Sequence, residues 1–367
     1  MREMHYHMEK ALADGACGVS LGLGYAPEIF YSTDGLIRAL APLYQSGVPI
    51  CVHMRQEGDG VVDALREMIE VARALQTPLE VSHLKAIGGR NARKAVPEML
   101  LLIARAREEG LDVMCDAYPY TAGSTQLIHV LPPEFQAGGT ETLTKRLRDR
   151  AAREEMRARM ETGSDFENIT LLVGFENVIA IGLRTDEYRR FEGKSVAEIA
   201  QTLQKDPFDT LFDLLAAEQC NTGMIDYISD EEDLKAILRA PFSGVISDAT
   251  YPGAGQVHPR VYGTFARLIE TYVVREKVLT LEQAVHKVTL QAAERFSFAG
   301  KGKIEVGADA DLLLFAPEKI RERGTYLAPR VCASGFDEVF VLGERVIENG
   351  EYRGGSSGEM LGLRMEY

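Results

Sequence analysis

The sequence of 367 residues lacks the features that mark several large classes of protein. It has five cysteines and no CxxC pair, too few for a disulfide-stabilised scaffold, which indicates reduced thiols and a cytoplasmic protein. No apolar run approaches the roughly 18 residues that span a bilayer, and the first residues show no signal-peptide pattern. The net charge is −14, from 41 basic and 55 acidic residues, so neither nucleic acid nor a membrane is an expected partner.

What the sequence does contain is a regular series of short apolar runs, each ending in a polar residue. The runs are CGVS (17–20), ICVH (50–53), LEVSH (79–83) and LDVMCD (111–116), with helical patterns over 34–47, 61–76 and 95–110 between them. A strand, helix and loop in about 31 residues is typical of the (β/α)8 barrel. A doubly wound sheet alternates similarly, but GLGYAP (22–27) lacks the expected GxGxxG turn. We therefore predict an α/β fold of the TIM-barrel type.

The later sequence predicts an insertion and an appendage. The strand–helix repeat stops after Tyr120, and we interpret residues 125–210 as an insertion on a barrel loop. Within it the sequence predicts a charged helix over 139–161 and strands at 169–174 and 178–182. It also predicts a helix that begins with a capping box at Ser195. Strand and helix patterns resume over 224–296. Strand patterns with turns over 303–315 and 337–352 predict a small β-sandwich remnant. The predicted domains are thus 1–300, a partial barrel, and 301–367, a β appendage.

His53 and His83 lie at the carboxyl ends of neighbouring predicted strands, where barrel enzymes carry their active sites. Two neutral imidazoles there can reach one metal ion, and zinc is a common choice. The alternative is two buried histidines that hydrogen-bond to the backbone. His5 and His7 form an HxH pair, but they fall in a predicted helix, where residues two apart do not face each other.

Asp248 ends another apolar run, and a carboxylate beside a metal can transfer protons to and from bound water and a leaving nitrogen. The alternative for Asp248 is a structural aspartate or a helix cap. Asp116 is a weaker candidate for a catalytic carboxylate, because it can simply order the loop that follows it. Lys85 and Arg55 follow the histidines and suit a substrate carboxylate, unless they pair with an acid such as Glu57. Loop polar groups near strand ends that can contact an acyl oxygen or carboxylate are Tyr25, Tyr118 and Ser124.

Several segments, taken in order, resemble the N-acyl-D-amino-acid deacylases of the amidohydrolase superfamily. The segments are GACGVSLGLGYAP, VHMRQE, EVSHLK, DAYPY, and SDA with HPRVYGTFARL; the tail AVHKVTLQAAERFSFAGKGKIEVGADADLLLF also resembles that superfamily. The resemblance implies that His53 and His83 hold zinc and that Asp248 is the catalytic acid and base. It places Lys85, Tyr118, Ser124 and Tyr25 at positions that hold the substrate, and Arg260 in a shared motif. The implied reaction is hydrolysis of an N-acyl-D-amino acid to a D-amino acid and a carboxylate.

The sequence departs from this family at its start. Family members have an HxH pair at the end of a first barrel strand and a further zinc ligand on the next strand, and neither is found; Cys17 lies at the wrong end of its strand to replace it. We therefore expect the first two barrel units to be missing, with one or two zinc ions completed by ligands from that part. Two alternatives are a cyclic-amide hydrolase of the hydantoinase or dihydroorotase type and an inactive, metal-free paralogue with a scaffold or binding role.

Overall fold

A five-stranded parallel sheet forms the centre of the computed structural model, which describes residues 1–250 and 255–361. Its strands, in the order β1-β2-β3-β4-β8, are β1 (Val19–Gly22), β2 (Ile50–His53), β3 (Leu79–Val81), β4 (Val113–Ala117) and β8 (Ser243–Val245). Ile50 pairs with Val19 on one side and Leu79 on the other, so the predicted runs are neighbouring strands in register. The carboxyl ends of β2, β3, β4 and β8 therefore meet at one edge of the sheet.

Four helices precede strands of this sheet and bury apolar residues: α2 (Thr33–Ala39), α3 (Val61–Leu75), α4 (Ala95–Glu108) and α11 (Glu231–Arg239). A further helix, α1 (Arg2–Ala13), comes before β1 and has no buried residue. Val52, Leu65 and Met99 lie in one buried cluster with the strands. The helix predicted over 34–47 is wrong in its length: α2 ends at Ala39, because Pro42 cannot continue a helical hydrogen-bond ladder.

The chain between β4 and β8 builds a second hydrophobic core and its own antiparallel sheet. The sheet order is β5-β7-β6, with β5 (Ala122–Gln126), β6 (Val178–Ile181) and β7 (Gly223–Tyr227), and the helices are α5 (Pro133–Gln136), α6 (Gly139–Arg146), α7 (Arg150–Thr162), α8 (Ile169–Val173), α9 (Val196–Leu203) and α10 (Pro207–Ala217). The capping box at Ser195 is confirmed. The strand expected at 169–174 is a helix, because the Asn168 side chain caps its first turn.

The remaining elements lead from β8 into a C-terminal antiparallel sheet. They are α12 (Arg260–Arg267), a π-helical stretch (Leu268–Arg275), α13 (Leu281–Val288), α14 (Leu290–Arg295), β9 (Leu312–Phe315), β10 (Phe336–Val341), β11 (Glu344–Glu348) and β12 (Glu351–Tyr352), with sheet order β12-β11-β10-β9. The strand predicted from 303 begins only at Leu312, and residues 362–367 of the predicted appendage lie outside the described residues.

The architecture is thus a mixed α/β fold with one parallel sheet and separate antiparallel sheets. A closed barrel and a β-sandwich remain predictions. Among the described residues, no helix combines the length and the apolar character needed to cross a bilayer.

Candidate metal and active site

The carboxyl ends of β2 and β3 bring two histidines and a glutamate together. His53 is the last residue of β2, and its Nδ1 lies 3.2 Å from Nε2 of His83, just beyond β3. Glu57, four residues after His53, places Oε1 3.1 Å from Nδ1 of His83 and Oε2 3.9 Å from Nδ1 of His53. One ligand atom from each side chain lies within 4.8 Å of the others.

This donor set fits a zinc ion. Burial lowers the pKa of His53 to about 3, so its imidazole is neutral and keeps a free lone pair at neutral pH. Glu57 accepts from Nδ1 of His83, which leaves Nε2 of that ring to face His53. A carboxylate on the far nitrogen of a histidine is the usual partner of a metal-bound imidazole. Two imidazole nitrogens with such a carboxylate are therefore a chemically suitable zinc site.

Lys85 holds the glutamate in its ionised form. Its Nζ lies 2.7 Å from the Glu57 carboxylate, and both side chains are nearly inaccessible to solvent. Burial alone would raise the pKa of Glu57, but the charge of Lys85 and the hydrogen bond from His83 outweigh burial and hold the pKa well below its usual range. The ion pair that we considered as the alternative for Lys85 is therefore present, within the site and not away from it.

Asp116 fixes the backbone beneath this cluster. His83 has a φ of 41°, in the left-handed region that a histidine rarely adopts. The Asp116 carboxylate accepts from the His83 N–H at 2.5 Å, and the Asp116 carbonyl accepts from the Leu84 N–H at 2.8 Å. Asp116 therefore orders the loop that positions His83, whereas the sequence suggested that it orders the loop after its own strand.

Asp248 and Arg260 form the second charged pair of the cleft. Nη1 of Arg260 lies 2.9 Å from Oδ2 of Asp248, and its Nη2 donates to the Ser124 carbonyl at 3.0 Å. The guanidinium is 4.6 Å from the centre of the Tyr118 ring. Burial raises the pKa of Tyr118, so its hydroxyl stays protonated and can donate to a bound ligand.

One cleft of about 620 Å³, including its open mouth, gathers most of the residues predicted from the sequence. Tyr25 stacks on His53 with ring centres 4.4 Å apart, and Ser124 donates to the Met224 carbonyl at 2.8 Å. The predicted residues that line the cleft are Tyr25, His53, His83, Lys85, Tyr118, Ser124 and Asp248.

The structure does not bring Arg55 to the cleft, which corrects its expected place beside the substrate. Because β2 ends at His53, Arg55 no longer shares the face of that histidine, and its guanidinium binds Glu67 at 2.9 Å and the Tyr31 carbonyl at 2.8 Å. His5 lies in α1 and bonds to the Arg38 carbonyl, as expected for a residue outside the site.

The cleft has two walls of different origin. The sheet wall consists of residues at or beyond the ends of parallel strands: His53, Glu57, His83, Lys85 and Asp248. The segment wall consists of residues from the chain between β4 and β8: Gly123, Ser124, His129, Glu167 and Asp226. Sequence reasoning did not identify Glu167, Asp226 or His129, and it considered Glu57 only as an ion-pair partner of Lys85 or Arg55. A usable signal for Glu57 was its position four residues after His53.

Comparison with known proteins gives consistent matches over nearly the whole chain. The Amidohydrolase family profile matches residues 38–347. A D-aminoacylase of Alcaligenes xylosoxydans xylosoxydans is 31% identical over 356 residues, which cover 96% of this chain and 63% of that protein. A D-aminoacylase crystal structure, said to define a novel subset of amidohydrolases, matches with a TM-score of 0.77 and 30% identity, over 96% of this chain and 64% of that one.

A second solved structure is that of an N-acyl-D-glutamate deacylase from Bordetella bronchiseptica with zinc and a phosphonate inhibitor. It matches with a TM-score of 0.76 and 28% identity, over 94% of this chain and 62% of that one. The chain thus spans less than two thirds of the length of these relatives. Because the family match extends over well more than half of its residues, the protein belongs to the amidohydrolase family.

Proposed function

We propose that the protein hydrolyses N-acyl-D-amino acids to a D-amino acid and a carboxylate with the help of zinc. The observation that carries this proposal is the His53–Glu57–His83 cluster, which lines the same cleft as Asp248. The similar D-aminoacylase and the zinc-containing deacylase structure supply the substrate class and the metal. The proposal includes a TIM-type barrel around the parallel sheet, the domain limits expected above and, from five free cysteines, a reducing compartment such as the cytoplasm.

His53 and His83 would hold the ion, and Glu57 would orient His83 through its Nδ1. When bound, zinc supplies Lewis-acid polarisation of the amide carbonyl and lowers the pKa of a water molecule. Asp248 would accept the proton of the attacking water and donate it to the leaving nitrogen, since it is the carboxylate of the sheet wall that does not contact the imidazoles. Arg260, which is buried, would balance the negative charge of Asp248 through their ion pair.

The substrate carboxylate requires cations or donors within the cleft. Lys85 and the Tyr118 hydroxyl are placed for this, and the Tyr118 ring lies 5.9 Å from Nζ of Lys85. Tyr25 and Ser124 also line the cleft and can contact the acyl group.

The test measures zinc content together with hydrolysis of N-acetyl-D-methionine, its L-enantiomer and a hydantoin. We expect about one zinc ion per chain and hydrolysis of the D-amide alone. His83→Ala is expected to lose both zinc and hydrolysis, while His129→Gln, a histidine of the segment wall, keeps the zinc. Hydantoin turnover would favour the cyclic-amide alternative. A chain that takes up less than about a tenth of an equivalent of added zinc would support the non-catalytic alternative.

A further inference from the structure

The segment wall carries a buried carboxylate that neither the metal cluster nor the proposed proton transfer uses. Asp226 lies on β7 and is 3% exposed, yet it lines the cleft. Its Oδ1 atom is buried and has no hydrogen-bond partner among the described residues. A buried carboxylate oxygen without a donor is costly, so a site that retains one is suited to a ligand that supplies the donor.

A glycine lets this carboxylate pack closely against the neighbouring strand. Gly123 on β5 is the direct cross-strand partner of Asp226, so both residues face the same side of the antiparallel sheet. A Cβ atom at position 123 would lie 2.8 Å from Oδ1 of Asp226, 2.8 Å from Cδ1 of Ile228 and 3.5 Å from the Tyr118 hydroxyl. Any larger residue at position 123 would therefore push against the carboxylate and its neighbour Ile228.

The ion pairs among the described residues of the cleft also leave Asp226 without a salt-bridge partner. The described lining of the cleft contains four carboxylates, at Glu57, Glu167, Asp226 and Asp248, and two cations, at Lys85 and Arg260. Lys85 pairs with Glu57, and Arg260 pairs with Asp248. Two carboxyl groups are left without a salt-bridge partner.

Those two carboxyl groups differ in their environment. Glu167 already accepts from the Glu57 N–H at 2.7 Å, and burial raises its pKa to about 8. Burial also raises the pKa of Asp226, but only to about 6, because the fields of Lys85 and Arg260 oppose it. At pH 7.5 Asp226 is therefore mainly ionised. Among the carboxylates of the described lining, it is the one that has no salt bridge and whose buried oxygen, Oδ1, accepts no hydrogen bond.

We propose that Asp226 is a specificity-determining residue that binds a positively charged side chain of the substrate, so that the cleft prefers N-acyl-D-amino acids of the lysine and arginine class. This inference rests on the proposed function for the substrate backbone and adds its side chain. The same carboxylate repels a substrate whose side chain is acidic, because like charges would then meet in a buried cleft.

The test compares the binding of N-acetyl-D-lysine, N-acetyl-D-methionine and N-acetyl-D-glutamate by calorimetry at pH 7.5. The chain is treated with a chelator so that no ligand is turned over, and hydrolysis by the zinc-loaded chain is measured in parallel. We expect the lysine derivative to bind about tenfold more tightly than the methionine derivative, and the glutamate derivative to bind most weakly. Asp226→Asn should bring the lysine-to-methionine ratio close to one.

Two further variants separate this role from a general effect on the fold. Gly123→Ala should lower the ratio in the same way, because its methyl group displaces the Asp226 carboxylate. Glu167→Gln, at the other carboxyl group without a salt bridge, should keep the ratio. The inference is overturned if the native chain shows no preference for the lysine derivative, if Asp226→Asn keeps the preference, or if Glu167→Gln alone abolishes it.

The two proposals fail in different ways. Hydrolysis of N-acyl-D-amino acids with equal binding of the three derivatives would overturn the role of Asp226 and leave the proposed function intact. Neither binding nor hydrolysis of any N-acyl-D-amino acid would overturn the proposed function and, with it, the substrate class assigned to Asp226.

Discussion

The carboxylates on the two walls of the cleft differ in whether a cation lies beside them. On the sheet wall each carboxylate has a cation within 2.9 Å, as Glu57 has Lys85 and Asp248 has Arg260. On the segment wall Glu167 and Asp226 have no such partner. Paired charges hold positions fixed for chemistry, whereas an unpaired buried charge is available to a ligand. The difference is what the two proposals require, since they assign the reaction to the sheet wall and the selection of the substrate to the segment wall.

The largest effect that would test this division is expected at the sheet wall. Asp248→Asn removes the proposed proton acceptor but keeps the size of the side chain, so we expect kcat/KM for N-acetyl-D-methionine to fall by about 10²–10⁴-fold. Zinc content should be unchanged. The adjacent Ser247→Ala serves as the control, and a loss smaller than about tenfold for Asp248→Asn would remove this carboxylate from the reaction.

A smaller effect is expected where the sheet wall supports the metal. Glu57→Gln removes the negative charge that orients His83 and neutralises Lys85, so zinc affinity should fall by about 10–100-fold in competition with a chelator. Glu67→Gln, which affects only the Arg55 pair outside the cleft, is the matched control. Equal zinc affinities for the two variants would show that Glu57 has no part in the metal site.

Lys287 does not line the cleft, so a substitution there tests whether a change elsewhere in the protein leaves both walls intact. Its Nζ donates to the carbonyls of Ala240 and Ser243 at 2.6 Å, and burial lowers its pKa to about 8. The unfolded chain therefore binds more protons than the folded chain between about pH 8 and 10, so stability rises with pH there and is lost as the pH falls through 8.

Lys287→Met should remove this contribution to the pH dependence, which is at most about 1.4 kcal/mol per pH unit. Denaturant unfolding of both proteins between pH 7.5 and 9.5 measures the difference. Parallel stability curves would contradict the lowered pKa, and altered zinc affinity would show that the sheet wall is not independent of Lys287.

The smallest effect is expected at the contact between the walls. Gly88 has a φ of 93°, donates its N–H to the Ile228 carbonyl at 3.0 Å, and would place a Cβ atom 3.2 Å from the Leu172 carbonyl. Gly88→Ala should lower the free energy of unfolding by about 1 kcal/mol without changing zinc affinity. Gly89→Ala is the control, since a Cβ there meets nothing within 4 Å. Equal stabilities would show that the two walls are not joined at this glycine.

The sheet wall could be predicted from the sequence because its residues follow the chain repeat. His53 and His83 end neighbouring apolar runs, and parallel strands in register bring such ends together. The prediction failed for Arg55, since it assumed that β2 continues past His53. Strand ends depend on tertiary contacts, which two-residue periodicity does not contain.

The segment wall could not be predicted in the same way. Asp226 reads as one polar residue within the run MIDYIS, and its burial follows from pairing with β5, about a hundred residues earlier in the chain. Glu167 reaches the cleft only because a second hydrophobic core folds α8 against the sheet wall. Local patterns carry no information on such long-range pairing.

The pairing of Ala122 with Tyr227 has a wider consequence. It places the entry and exit of the intervening chain side by side, so this part resembles a cassette inserted at a single point of the parent scaffold. Replacing or shortening such a cassette requires no movement of the parallel strands. Exchange of this part between relatives is therefore expected to change the segment wall and leave the sheet wall as it is.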